Sequence, residues 1–302
     1  MSFVALIGSL QLGLLYSLVA IALYVSYRIL NIADLSVDGT FPLGGAVAML
    51  ITAGGHPFLS IPAAILAGIA AGFITGFLQT KLKVPSILAG IITMTGLFSI
   101  NLMIMGDTST LSVSRTDETI FSKLEVLFGN KDIARMVVSL GVCLIIAAIL
   151  VFFFRTRLGL SIRATGDNRA MVSASSINPT FTTIVGLCLA NGLVALSGAL
   201  ISHYQRFADV TMGTGMVVIG LASLMIGEII VGRGSVLRCI LGAILGSVIY
   251  RVIIAFALTL NISPSNLKLV TAVIVALAIS WPALKGLFAQ NKRKRAAMKL
   301  GK

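Results

Sequence analysis

The 23 basic and 10 acidic residues of this 302-residue chain are clumped rather than spread. Between the clumps lie uncharged runs at 1–27, 39–80, 84–106, 136–154, 170–205, 210–227, 252–267 and 269–284. A helix needs about 20 mostly apolar residues to cross a hydrocarbon core of roughly 30 Å, and an ionised group inside that core is costly. Several runs reach this length, and 39–80 and 170–205 are too long for a single crossing. Only 11% of the residues are charged, against ~25% in an ordinary soluble domain. The pattern predicts an all-α, polytopic membrane protein and excludes a soluble fold.

The same charges orient the bundle, because loops rich in Lys and Arg stay cytoplasmic. Seven basic residues fall within 285–302, and four (Arg155, Arg157, Arg163, Arg169) face Asp167 alone in the loop 155–179. Both segments are expected inside, as is the turn with Lys81 and Lys83. The stretch 105–133 has an acidic excess and is expected outside. Spans at 3–27, 40–53, 60–80, 85–104, 134–154, 180–202, 213–231, 236–257 and 266–282 satisfy these signs. The reading is therefore about nine spans, with an external N-terminus and a cytoplasmic basic tail. That tail, facing an anionic leaflet, accounts for much of the net charge of +13 without any nucleic-acid partner. Met1 opens no cleavable signal peptide, since a basic start is missing and the apolar stretch is too long.

One span is anomalous. Residues 40–53 make only about 21 Å of helix, and the polar, turn-forming Asn31-Ile-Ala-Asp-Leu-Ser-Val-Asp-Gly39 precedes them. Pro42, Gly44 and Gly45 follow. This is the pattern of a discontinuous helix, which is tolerated at membrane depth only where protein or a watery cavity surrounds it. A counterpart lies 175 residues on: Ala33-Asp-Leu-Ser matches Ala208-Asp-Val-Thr, and Gly45 matches Gly220. Opposite predicted sides for the two motifs imply an inverted repeat, with halves at about 3–104 and 178–284. Such paired interrupted helices point to a transport pathway.

The stretch 155–179 is organised beyond the needs of a connector. It has a basic start, a helical middle that Asp167 or Asn168 is placed to cap, and an Asn178-Pro179 stop. Thr156, Gly159, Arg163, Ala164, Gly166, Asn168 and Ile177 resemble the coupling loop of permease subunits of bacterial ABC importers, in the ribose-type and branched-chain amino acid group. Asp34-Leu-Ser-Val resembles the motif of that family's early broken helix, and Gly232-Arg-Gly234 with Gly242 and Gly246 resembles its late Gly-rich turn. The likeness runs from about residue 8 to 284. Three places depart from it: Ser176 stands where the family usually has Gly, Glu228-Ile-Ile replaces part of the Gly-rich stretch, and Asp38 interrupts the Val-Gly step. Asp34-Leu-Ser-Val-Asp-Gly with Phe41-Pro-Leu-Gly most resembles a branch that includes aromatic amino acid (tryptophan or tyrosine) importers.

The resemblance implies a single permease domain over 1–284, forming the pathway of a homodimer and driven by a separate ATPase dimer that holds ATP and Mg. An external substrate-binding protein would deliver the solute. Coupling to the ATPase is then expected through Arg157, Gly159, Arg163, Ala164, Gly166, Asn168 and Ile177. Pathway or gate roles are expected of Asp34, Ser36, Asp38, Asp209, Thr211 and Arg251. For Asp34 and Asp38 a plain helix cap is an equal reading; for Arg251, outward snorkelling. Glu228 is expected to pair with Arg233 at a rim. His203, Tyr204, Arg206 and Asp209 form an outer cluster that suits an interfacial belt, an outer gate or a docking surface. The chain carries no G-x-x-x-x-G-K-[ST] loop, and its three Cys lie singly in apolar runs, so neither ATP hydrolysis nor a bound metal or cofactor is expected of it. An ion-coupled secondary transporter with inverted repeats is the alternative that these residues leave open.

Overall fold

In a computed structural model of the protein, the residues described are 3–114, 118–129, 131–232, 234–259, 269, 271–273, 275–276 and 280. In chain order the helices are α1 (Phe3–Leu23), α2 (Val37–Ala53), α3 (Pro57–Thr80), α4 (Ser86–Ile104), α5 (Ile120–Phe128), α6 (Lys131–Phe153), α7 (Arg157–Asp167), α8 (Arg169–Ala174), α9 (Pro179–Gln205), α10 (Met216–Val231) and α11 (Val236–Thr259). A π-helical turn, Tyr24–Ile29, extends α1, and a 3-10 turn, Val210–Gly213, precedes α10. Among the described residues seven helical stretches are long and apolar enough to cross a membrane, and α2 is a shorter apolar helix. The protein is an all-α polytopic membrane protein. The expected span at 266–282 lies largely, and the basic tail wholly, outside the described residues.

The centre of the bundle is α9, buried along most of its length and packed between α2, α3 and α1. Small residues permit this. A Cβ on Gly44 would strike the Ala195 backbone, and one on Gly198 would strike the Phe41 carbonyl. In lipid, such backbone-to-backbone contact replaces the hydrophobic drive that joins helices in water. By contrast α4 and α6 turn large apolar side chains outward, among them Ile91, Ile92, Leu144, Ile145 and Phe152. Lipid is the solvent that a surface of this kind requires.

At one end of the bundle, β1 (Thr110–Ser112) pairs antiparallel with β2 (Phe207–Asp209) in the register Thr110↔Asp209. Helix α5 lies at the same end, begun by a capping box between Thr119 and Ser122. At the opposite end α7 packs on α9 and on the π-helical turn. Asn168 caps α8 by accepting from the Met171 amide at 3.0 Å. Asn178 caps α9, with Pro179 as its first residue. The cap expected at Asp167 or Asn168 thus falls to Asn168, and Asp167 closes α7.

Candidate functional site where two interrupted helices meet

The first interruption starts where α1 widens. Leu30 N–H bonds the Val25 carbonyl and Ile32 N–H the Ser26 carbonyl, longer reaches than an α-helix uses. Asn31 then takes a left-handed φ of 56°, which Asn tolerates better than most residues. Asp34 receives the chain as α2 begins. Its Oδ1 accepts from the Ser36 amide at 2.9 Å and the Ser36 hydroxyl at 2.5 Å, and its Oδ2 accepts from Asn191 Nδ2 at 2.8 Å. The Asn191 carbonyl oxygen accepts from the Thr40 hydroxyl at 2.7 Å, with the Ser36 hydroxyl 3.1 Å away. All four side chains are buried, in the middle of α9 rather than at its end. Losing one partner from such a network costs about 1–3 kcal/mol.

The second interruption repeats this turn at the β-ribbon end of the bundle. Asp209 Oδ1 accepts from the Thr211 amide at 2.7 Å and the Thr211 hydroxyl at 2.5 Å, while its Oδ2 accepts from the Thr110 hydroxyl at 2.8 Å. Partial burial raises its pKa, but these donors outweigh that and hold the carboxyl below the usual carboxylate range. The Thr110 bond ties the second interruption to the β-ribbon.

Asp38 joins the two. One carboxylate oxygen accepts from the Gly215 amide at 3.0 Å and the other from the Val217 amide at 2.9 Å, so its charge sits on the positive N-terminus of α10. Pro42, lacking an N–H, leaves the Asp38 carbonyl without the usual helical donor. Gly213 packs directly on that carbonyl, where a Cβ would collide.

Beside this crossing is a cavity of about 290 Å³ lined by Asp38, Gly39, Pro42, Met94, Thr95, Phe98, Asn101, Val210, Thr211 and Thr214. It lies at the low end of the ~300–1,000 Å³ range of small-molecule sites. Asn101 donates from Nδ2 to the Gly39 carbonyl at 3.2 Å. Of the expected pathway residues, Asp38 and Thr211 line the cavity. Asp34, Ser36 and Asp209 hold the turns that frame it. Arg251 does not reach it: its guanidinium stacks 3.5 Å from the Tyr16 ring. Nothing in the sequence singles out Asn101, Asn191 or Phe98, which carry no charge and lie in ordinary apolar runs.

The expected coupling residues sort into two kinds. Gly166 packs against the end of the π-helical turn, where a Cβ would overlap the Ile29 carbonyl. Gly159 packs on Phe153 and Phe154 in the same manner. Ile177 N–H bonds the Val172 carbonyl and Ser176 N–H the Ser173 carbonyl, the paired bonds of a Schellman helix end. Arg157 and Arg163 are exposed, and Ala164 is half-buried. Glu228 is held by Arg28, with Nε and Nη2 each 2.5 Å from a carboxylate oxygen. The partner expected for it, Arg233, lies outside the described residues. In the outer cluster His203 is buried, its Nε2 2.8 Å from the Ser60 hydroxyl, and the Tyr204 hydroxyl donates to Gln11 Oε1 at 3.0 Å.

Two interrupted helices abutting at a small cavity, with an organised helical loop seated on one of them, define a membrane transport subunit. Residues 5–280 match the branched-chain amino acid transport system / permease component family, and the chain belongs to it. It is the permease subunit of an ABC importer rather than an ion-coupled carrier or an enzyme, and that family works with an ATPase and a substrate-binding protein. The chain is 36% identical over 271 residues to the tyrosine transport system permease protein of Clostridioides difficile (strain R20291), covering 89% of this chain and 88% of that one. It is 28% identical over 258 residues to the ribose import permease of Escherichia coli (strain K12), covering 82% and 75%. The PsaBC complex of Streptococcus pneumoniae bound to Fab shares the fold, with a TM-score of 0.52 at 16% identity over 91% of this chain and 89% of the other.

Proposed function

We propose that this permease imports an aromatic amino acid as a homodimer, with the end bearing α7 and α8 facing the cytoplasm and an ATPase dimer. The observation that carries this reading is the cavity at the crossing, which pairs polar groups with the apolar wall of Pro42, Met94, Phe98 and Val210. Its size suits one small solute, and the similarity to a tyrosine permease supports the class. ATP and Mg sit on the partner subunit, and an external binding protein selects the solute.

The two halves form an inverted repeat. Asp34 and Asp209 adopt the same turn, accepting the amide and hydroxyl two residues on. Matched positions of a two-fold pair touch only near its axis, and Asp38 and Gly213, at the common offset of 175, are in contact. ATP binding draws on Arg157, Arg163 and Asn168. Gly166 passes the motion to Ile29, and the bistable bundle turns it into alternating access. The test is thermal shift of the cognate binding protein against amino acids, nucleosides and sugars, followed by uptake with the ATPase in proteoliposomes. L-tyrosine or L-tryptophan is expected to stabilise the binding protein and to enter in a vanadate-sensitive manner. Stabilisation by a sugar or nucleoside alone would sink the aromatic reading.

A further inference from the structure

The polar groups lining the cavity are nearly all acceptors. Asn101 is fully buried, and its Oδ1 has no hydrogen-bond partner among the described residues. The amide cannot be turned round to cure this, because Nδ2 is committed to the Gly39 carbonyl. Thr95 gives its hydroxyl proton to the Ile91 carbonyl and Thr211 gives its own to Asp209, so both turn lone pairs to their surroundings. Asp38 adds a carboxylate, and no Lys or Arg is among the lining residues. Helix N-termini ordinarily favour an anion here. Both are already taken, however: Asp34 holds the Ser36 amide at the start of α2, and Asp38 holds the start of α10.

We infer that this cavity is a solute subsite that recognises a protonated amine, with Asn101 Oδ1 and the Asp38 carboxylate as its acceptors and Met94 and Phe98 against the apolar body. This rests on the amino-acid reading and adds to it which end of the solute the permease holds. The α-ammonium is bound by acceptors of the chain, and the carboxylate finds no donor among the lining side chains other than Thr214.

The test uses the permease–ATPase complex in proteoliposomes without the binding protein, so that selection by that protein does not enter. With Cys143, Cys188 and Cys239 replaced by Ala, Thr214→Cys reports the cavity by its rate of reaction with a methanethiosulfonate. Tyramine, which has the amine but no carboxylate, is expected to slow labelling at least about 5-fold. 3-(4-Hydroxyphenyl)propionate, with the carboxylate and no amine, is expected to leave the rate unchanged. Asn101→Leu in that background should weaken tyramine protection by about 10- to 100-fold, as for a lost bond to a charged group, while Asn101→Asp should keep it. Equal protection by the two probes, protection by the acid alone, no protection by tyramine, or undiminished protection in Asn101→Leu overturns the subsite. Failure of the amino-acid reading shows itself separately, as stabilisation of the cognate binding protein by no amino acid.

Discussion

Ser176 illustrates what one residue costs this fold. It occupies the left-handed position of the Schellman turn between α8 and α9, at φ 60°, and its family usually has Gly there. A left-handed L-residue costs roughly 1–2 kcal/mol, part of which Gly loses again through its freer unfolded chain. Ser176→Gly is therefore expected to stabilise the turn by about 0.5–1 kcal/mol. Local opening then becomes a few-fold rarer, and protease nicking within 155–179 of the purified transporter should slow by the same factor. Nicking at an unchanged or faster rate would show that the turn opens as one with something larger. The departure from the family pattern was visible in the sequence, but its cost appears only with the backbone angle.

At the scale of elements, the spans that fall within the described residues and both interruptions were legible because charge exclusion and Gly/Pro punctuation act locally. The contacts that join elements were not. Asp34 could be read as a residue at a break, but Asn191, which fixes it, lies 157 residues away in an unremarkable apolar run. The 155–179 loop could be read as a docking segment, whereas the seat of Gly166 on Ile29 depends on where the π-helical turn ends. That seat is the link between α7 and the first interruption. Gly166→Ala places a methyl on the Ile29 carbonyl, and overpacking of this kind costs about 1–3 kcal/mol unless the elements part. Parting breaks the link. Uptake by the reconstituted importer is expected to fall at least ~10-fold while ATP hydrolysis persists, whereas Asn178→Ala removes only the α9 cap, worth about 1 kcal/mol, and should lower uptake far less. Wild-type uptake in Gly166→Ala would show that motion reaches α2 by another route.

Across the whole molecule, the two proposed halves pack along α9, the two interrupted helices touch through Asp38, and a charged contact joins the halves near α7 through Arg28 and Glu228. The charged contact joins the end of α1 to the end of α10, so any rotation of one half against the other must stretch it. Its geometry is two-pronged, with a separate nitrogen on each carboxylate oxygen, and the Glu228 side chain is only 4% exposed. Both features raise its worth above that of a surface pair. Arg28→Met and Glu228→Met are each expected to destabilise the detergent-solubilised permease, because each leaves a partly or largely buried charge without this partner. The double replacement should cost less than the two singles together, with a coupling of roughly 0.5–3 kcal/mol in a thermal-unfolding cycle. If the pair also holds the halves in one arrangement, freeing it should raise the partner's ATPase rate in the absence of solute, in the double variant as in the singles. Strictly additive stabilities together with an unchanged basal rate would mean that this pair does not hold the two proposed halves in one arrangement.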